Sequence, residues 1–141
     1  MKNILIGLSI LSISVIAIAG GNPEQVKVPD NYETEYTKYD TRNRSNGKQV
    51  GVLYANSKAT DLASDASLAD GSTIVVEIYK TVTGEDGKPV HAADGVYEKG
   101  KFAAIAVMEK RSDWDASFDA SQRAGDWGFA IYKTDGSVKD N

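Results

Sequence analysis

Residues 72–83 read STIVVEIYKTVT. Isoleucine, valine, threonine and tyrosine dominate this run, and no Gly or Pro interrupts it. β-Branched and aromatic side chains fit a pleated, half-buried surface, so the run predicts a strong strand. Three further runs have the same character. QVGVLYA at 49–55 reads as a half-buried strand, KFAAIAVMEKR at 101–111 as a strand buried on both faces for much of its length, and DWGFAIYK at 126–133 as a final strand.

Turn and helix signals stand between these runs. Ser45-Asn46-Gly47-Lys48 predicts a hairpin turn, with Asn-Gly supplying positive φ angles. Asn56-Ser57 can cap a helix, and Ala59, Leu62, Ala63 and Ala66 follow at helical spacing. Asp70-Gly71 closes the connection after it. Thr83 to Gly100, rich in glycine, predicts a long loop. Upstream, Tyr32, Tyr36 and Tyr39 are spaced almost as on a helix, while Thr34, Thr37 and Thr41 suit a strand. A short helix leading into a strand reconciles the two. The expected fold class is α+β: an antiparallel sheet of about four or five strands with two short helices packed on it.

The N-terminus is of another kind. In MKNILIGLSILSISVIAIAGG, Lys2 is a positive n-region, Ile4 to Ile18 an apolar h-region, and Ala17-Ile18-Ala19 a small-x-small cleavage signature. Residues 1–19 are therefore expected to be a secretory signal peptide, 20–31 a polar lead-in ending at Pro29-Asp30, and 32–141 the domain. The expected location is periplasmic or secreted, with no membrane association once the signal is cut. The whole chain carries a net charge of −4, and loss of Lys2 makes it one unit more negative. A mildly acidic domain without a basic run excludes nucleic acid and anionic membranes as expected partners. With no Cys in the sequence, neither a disulfide nor lipid attachment at the cleavage site can form.

Candidate chemistry is sparse. His91, the one imidazole, lies in the long loop and is read as a solvated residue. One His without Cys makes no zinc site unless carboxylates complete it. Asp113, Asp115, Asp119 and Asp126 lack the Gly and terminal Glu of an EF-hand loop. Glu77 and Glu109 each interrupt an apolar strand. Each either points to solvent, pairs with Lys80, Lys110 or Arg111, or is a buried carboxylate with a raised pKa. Nothing resembles a nucleophile elbow or a phosphate-binding glycine loop.

Four segments in order carry a resemblance: GKQVGVLYANSKA, DGSTIVVEIYKTVTGEDGKPV, KGKFAAIAVMEKR and GDWGFAIYKTDGSV, preceded by VKVPDNY. Together they resemble the cytochrome P-460 family, which includes cytochrome c-prime-beta, over nearly all of residues 20–141. The resemblance implies an exported c-type cytochrome domain on an antiparallel sheet, usually a homodimer. Its haem would be held by Cys-x-x-Cys-His shortly after the last strand. This sequence stops before that motif and has no Cys. The expectation is a chain ending short of its haem-attachment segment: haem c belongs to the full-length family member, and this chain attaches none covalently. In members that oxidise hydroxylamine, a Lys, an Arg and a carboxylate stand at the places of Val76, Gly51 and Ile105. These three are the expected lining of a distal haem pocket, here apolar as in the c-prime-beta branch. That implies a small gaseous ligand such as nitric oxide, or electron transfer with a redox partner, with no catalytic or metal-ligating residue assigned. The alternative is a haem-free binding or structural module on the same fold. A hydroxylamine oxidoreductase would need a Lys that Val76 replaces.

Overall fold

The computed structural model describes residues 21–60 and 68–139. The predicted signal peptide and the helical positions Leu62, Ala63 and Ala66 lie outside these residues. Among them, the elements run in order α1 (Tyr32–Glu35), β1 (Thr37–Asn43), β2 (Gln49–Ala55), α2 (Ser57–Thr60), β3 (Thr73–Thr81), β4 (Lys99–Lys110), a 3₁₀ turn (Ala120–Gln122) and β5 (Trp127–Tyr132). The strands form one five-stranded sheet in the order β1-β2-β3-β4-β5. Every neighbouring pair is antiparallel. Fold class and strand count are those expected from the sequence.

The β1–β2 turn is tighter in its demands than Asn-Gly suggests. Gly47 N donates to Arg44 O at 3.0 Å, and Gly47 alone in this turn has a positive φ, at 65°. Asn46 serves by its side chain, whose Oδ1 accepts from Lys48 N at 3.0 Å. The β3–β4 connection is not an open loop. Val90 N donates to Val82 O and Glu98 N to Val90 O, at 2.9 and 2.8 Å, which folds the excursion back onto the base of the hairpin.

Period-2 alternation gives the sheet two faces. On the first, Val75, Ile105, Val107, Ala130 and Tyr132 meet Val26, Tyr32 and Phe118, with Val28, Tyr36 and Trp114 packed around them. The segment read as a polar lead-in is thus a strap across the sheet, and Val26 has no exposed surface. Its start is fixed where Asn22 N donates to Phe129 O at 2.7 Å. Farther along, the Tyr132 hydroxyl donates to the Val26 carbonyl. On the second face, Leu53, Ala55, Ile74, Val76, Ile78 and Ala104 form the core, with Ala59 of α2 and Leu68 laid on them.

Gly128 of β5 lies directly under the strap. A Cβ there would stand 2.8 Å from ring atoms of both Phe118 and Trp114 and from a Val26 methyl. Overpacking of this kind forces side chains off their rotamers or lifts a segment. Gly128→Ala is expected to destabilise the chain by about 1–3 kcal/mol, measured by urea unfolding. An unchanged midpoint would mean that the strap is not seated here.

Candidate functional site

Among the described residues, Glu77 is the one buried carboxylate, at 6% exposure on the first face. Register places it between Val52 of β2 and Ile105 of β4, so neither neighbour offers a hydrogen bond. Three tyrosines do. Tyr32 from α1 donates to Oε1 at 3.0 Å, while Tyr79 and Tyr54 donate to Oε2 at 3.0 and 3.3 Å. The Tyr54 ring meets Tyr32 edge-on at 5.4 Å, and Tyr79 stacks on Phe102 at 5.0 Å. A buried carboxylate without donors would be prohibitive; here every donor is a phenol already anchored by its ring. Burial, reinforced by the Glu77 charge, raises all three hydroxyls above the usual tyrosine range, Tyr79 to about 12. These phenols therefore stay protonated and keep donating. Of the alternatives for Glu77, the structure bears out its burial.

Glu109 takes the other reading. It accepts from Arg111 Nε at 2.7 Å. The Arg111 guanidinium lies 4.5 Å from the centre of the Trp114 ring, which meets Phe118 edge-on at 5.0 Å. This relay closes the end of the first face. Asp115 and Asp119 accept from backbone amides two residues on, Ser117 N and Ser121 N, as turn residues do. Among the described residues, no cluster of His, Cys, Asp or Glu could hold a metal ion. His91 is exposed in the excursion, its ring edge-on to Tyr97 at 4.7 Å.

The second face is different in kind. Its rows can be followed across the sheet: Asp40, Leu53, Val76, Ala106, Ile131 in one, and Arg42, Gly51, Ile78, Ala104 in the next. The centre is wholly apolar. Ala106, Met108, Trp127 and Ile131 are half-buried, so the accessible part lies over β4 and β5. Charge is confined to the margins. On the β1 edge Arg42 pairs with Asp40. At one end of the sheet, Lys80, Lys101, Lys133 and Lys139 line a groove together with Ala103, Thr134 and Phe102, the last of which also packs against the first-face core.

The register brings Val76 and Gly51 together on this face: Gly51 pairs with Ile78, and a Cβ on it would stand 3.1 Å from a Val76 methyl. Ile105 is not with them. It pairs with Glu77 and faces the strap, so Val76 and Ile105 do not line one pocket. The β4 residue that pairs with Val76 is Ala106. Reading positions along a strand cannot reveal this, because a one-residue offset exchanges the faces.

One polar atom enters the apolar side. Between Lys38 and Asp40 the β1–β2 register slips by one residue, and Tyr39 is the extra one. Such a bulge bends the strand and re-aims its side chain. The Tyr39 ring packs against the second-face core, and its hydroxyl is buried without a hydrogen-bond partner. Burial pushes that hydroxyl up to about 12. The tyrosine spacing singled the residue out, but no sequence signal announced the bulge.

A family model described as Cytochrome P460 matches residues 29–141. The chain belongs to the Cytochrome P460 family. No curated protein matches it. Membership makes haem the implied cofactor, and the second face suits it in two respects. Its half-buried part, Ala106, Met108, Trp127 and Ile131, is apolar, and it holds a buried hydroxyl lacking an acceptor. The bonds that hold haem c are another matter. With no Cys in the 141 residues, this chain can form no thioether.

The tyrosines around Glu77 make stability fall in alkali. Below pH 10 their hydroxyls are protonated whether the chain is folded or not. Above it, the unfolded chain loses these protons at the ordinary value of 10.0, while the folded chain keeps them. The folded state then binds more protons, so stability is lost progressively as pH rises from 10 towards 12. Urea midpoints across this range, followed with tyrosinate absorbance, should show the loss, and Tyr79→Phe should remove part of it. At neutral pH, Tyr32→Phe leaves Glu77 one donor short and is expected to cost about 1.5–3 kcal/mol. A flat alkaline profile would contradict the cluster.

Proposed function

We propose that this chain is an exported haem-binding module that seats the porphyrin on its second face. It would serve small-ligand binding, of the nitric oxide kind, or electron transfer with a redox partner. The observation that carries the reading is the wholly apolar centre of that face, running from Leu53 through Val76 and Ala106 to Ile131, with lysines lining a groove at one end of the sheet. An amphiphilic dianion fits such a surface. Its ring removes apolar area from water, and its carboxylates meet the lysines at that end.

Haem, when bound, supplies an iron at which a small ligand can coordinate. The chain's own residues exclude water and discriminate by polarity. Hydroxylamine oxidation is disfavoured, because Val76 and Gly51 stand where ionisable side chains would be needed and Ile105 faces away. A small neutral ligand requires no charged partner. Homodimerisation and export belong to the same reading, by likeness to the family. N-terminal sequencing of the exported chain is expected to begin at Gly20.

A haem-free module on the same fold is the second reading, favoured by His91 lying exposed in the excursion, edge-on to Tyr97. Titration with hemin separates the two. The first predicts a saturable Soret band that weakens about tenfold or more in Ala106→Glu, which puts a charge in the apolar row. Glu24→Ala, on the strap, should leave binding unchanged. No Soret band with the folded chain would favour the haem-free module.

A further inference from the structure

We propose that Tyr39 is the hydrogen-bond donor that the second face holds for an oxygen acceptor of its occupant. The inference rests on the reading of that face as a haem surface. Its own support comes from this chain.

Among the described residues, only two buried side-chain oxygens lack a hydrogen-bond partner, those of Tyr39 and Ser72. Ser72 lies in the connection just before β3, beside turn backbone, whereas the Tyr39 ring packs on the apolar face. A buried hydroxyl without an acceptor is normally removed at no cost in shape by phenylalanine. Here an interruption of the β1–β2 ladder carries it: Lys38 pairs with Tyr54 of the first face and Asp40 with Leu53 of the second, so the bulge leaves Tyr39 outside the ladder, beside Asp40 on the apolar side. Bulges favour functional sites for this reason.

Nearby groups do not satisfy the hydroxyl. Asp40 and Arg42, its neighbours on β1, are paired with each other. The rest of the core is hydrocarbon: Leu53, Ala55, Ile74, Val76, Ile78 and Ala104. Burial keeps the phenol protonated at any physiological pH, so it is a donor without a competing acceptor. Two acceptors share the required chemistry: a carboxylate of the haem itself, or the oxygen of a small ligand on the iron. Tyr39 is a positioning and specificity residue for either.

The test compares the wild-type chain with Tyr39→Phe. Without ligand, the variant is expected to melt several degrees higher, because it no longer buries an unsatisfied hydroxyl. With hemin, it is expected to bind about threefold to tenfold more weakly, or to change the signature of an iron ligand. Reduction by dithionite under carbon monoxide supplies that signature. A C–O stretch moved to higher wavenumber assigns the acceptor to the iron-bound ligand. Weaker hemin binding with an unchanged stretch assigns it to the haem carboxylate. A variant that melts lower shows a partner for the hydroxyl within the chain and overturns the proposal. So do equal affinity and an identical stretch, which leave the haem reading intact. If wild-type chain binds no hemin, the haem reading fails, and this proposal fails with it.

Discussion

Glu77 is a carboxylate placed in the middle of a sheet, in a row whose neighbours are Val52 and Ile105. That constraint organises much of the rest. Two of its donors come from the sheet, Tyr54 and Tyr79, but the third, Tyr32, comes from α1 at the end of the strap. The strap is therefore held by a buried, charge-assisted hydrogen bond as well as by the packing of Val26. Once it is seated, the first face is closed by protein. The other broad face has a buried centre too, and its half-buried part is Ala106, Met108, Trp127 and Ile131 over β4 and β5.

This division assigns different work to neighbouring residues of one strand. In β3, Val75, Glu77 and Tyr79 serve the strap, while Ile74, Val76 and Ile78 form the apolar surface opposite. The two sides differ in satisfaction as well as polarity. On the first, the Glu77 oxygens and the Tyr32, Tyr54, Tyr79 and Tyr132 hydroxyls all have partners. On the second, the Tyr39 hydroxyl has none. Structural polar groups are normally paired when buried, so the unpaired one is where a ligand is most informative.

The strands were legible because β-branched runs bounded by turn residues leave little choice of conformation, and 73–81 and 127–132 fall inside the runs singled out. The helix-to-strand change at Tyr36 was legible too, since the tyrosine spacing and the threonines pointed to different elements in succession. What the sequence hid was relative placement. The strap looked polar because only Val26 and Val28 face inward. Ile105 looked like a neighbour of Val76 because face membership depends on the β3–β4 register, which composition does not encode. The Tyr39 bulge has no side-chain signature at all. Glu77 was conspicuous in its strand, but whether it met water or three phenols depended on a segment more than forty residues away in the chain.

The central claim is that the second face, and not the first, receives the cofactor. Methyl-labelled NMR with zinc protoporphyrin tests it directly, since ring-current shifts fall off steeply with distance. The account predicts large shifts at Leu53, Val76, Ile78, Ala106 and Ile131, with Val26, Val75, Ile105 and Val107 almost unmoved. Shifts concentrated on the strap-side methyls would contradict it.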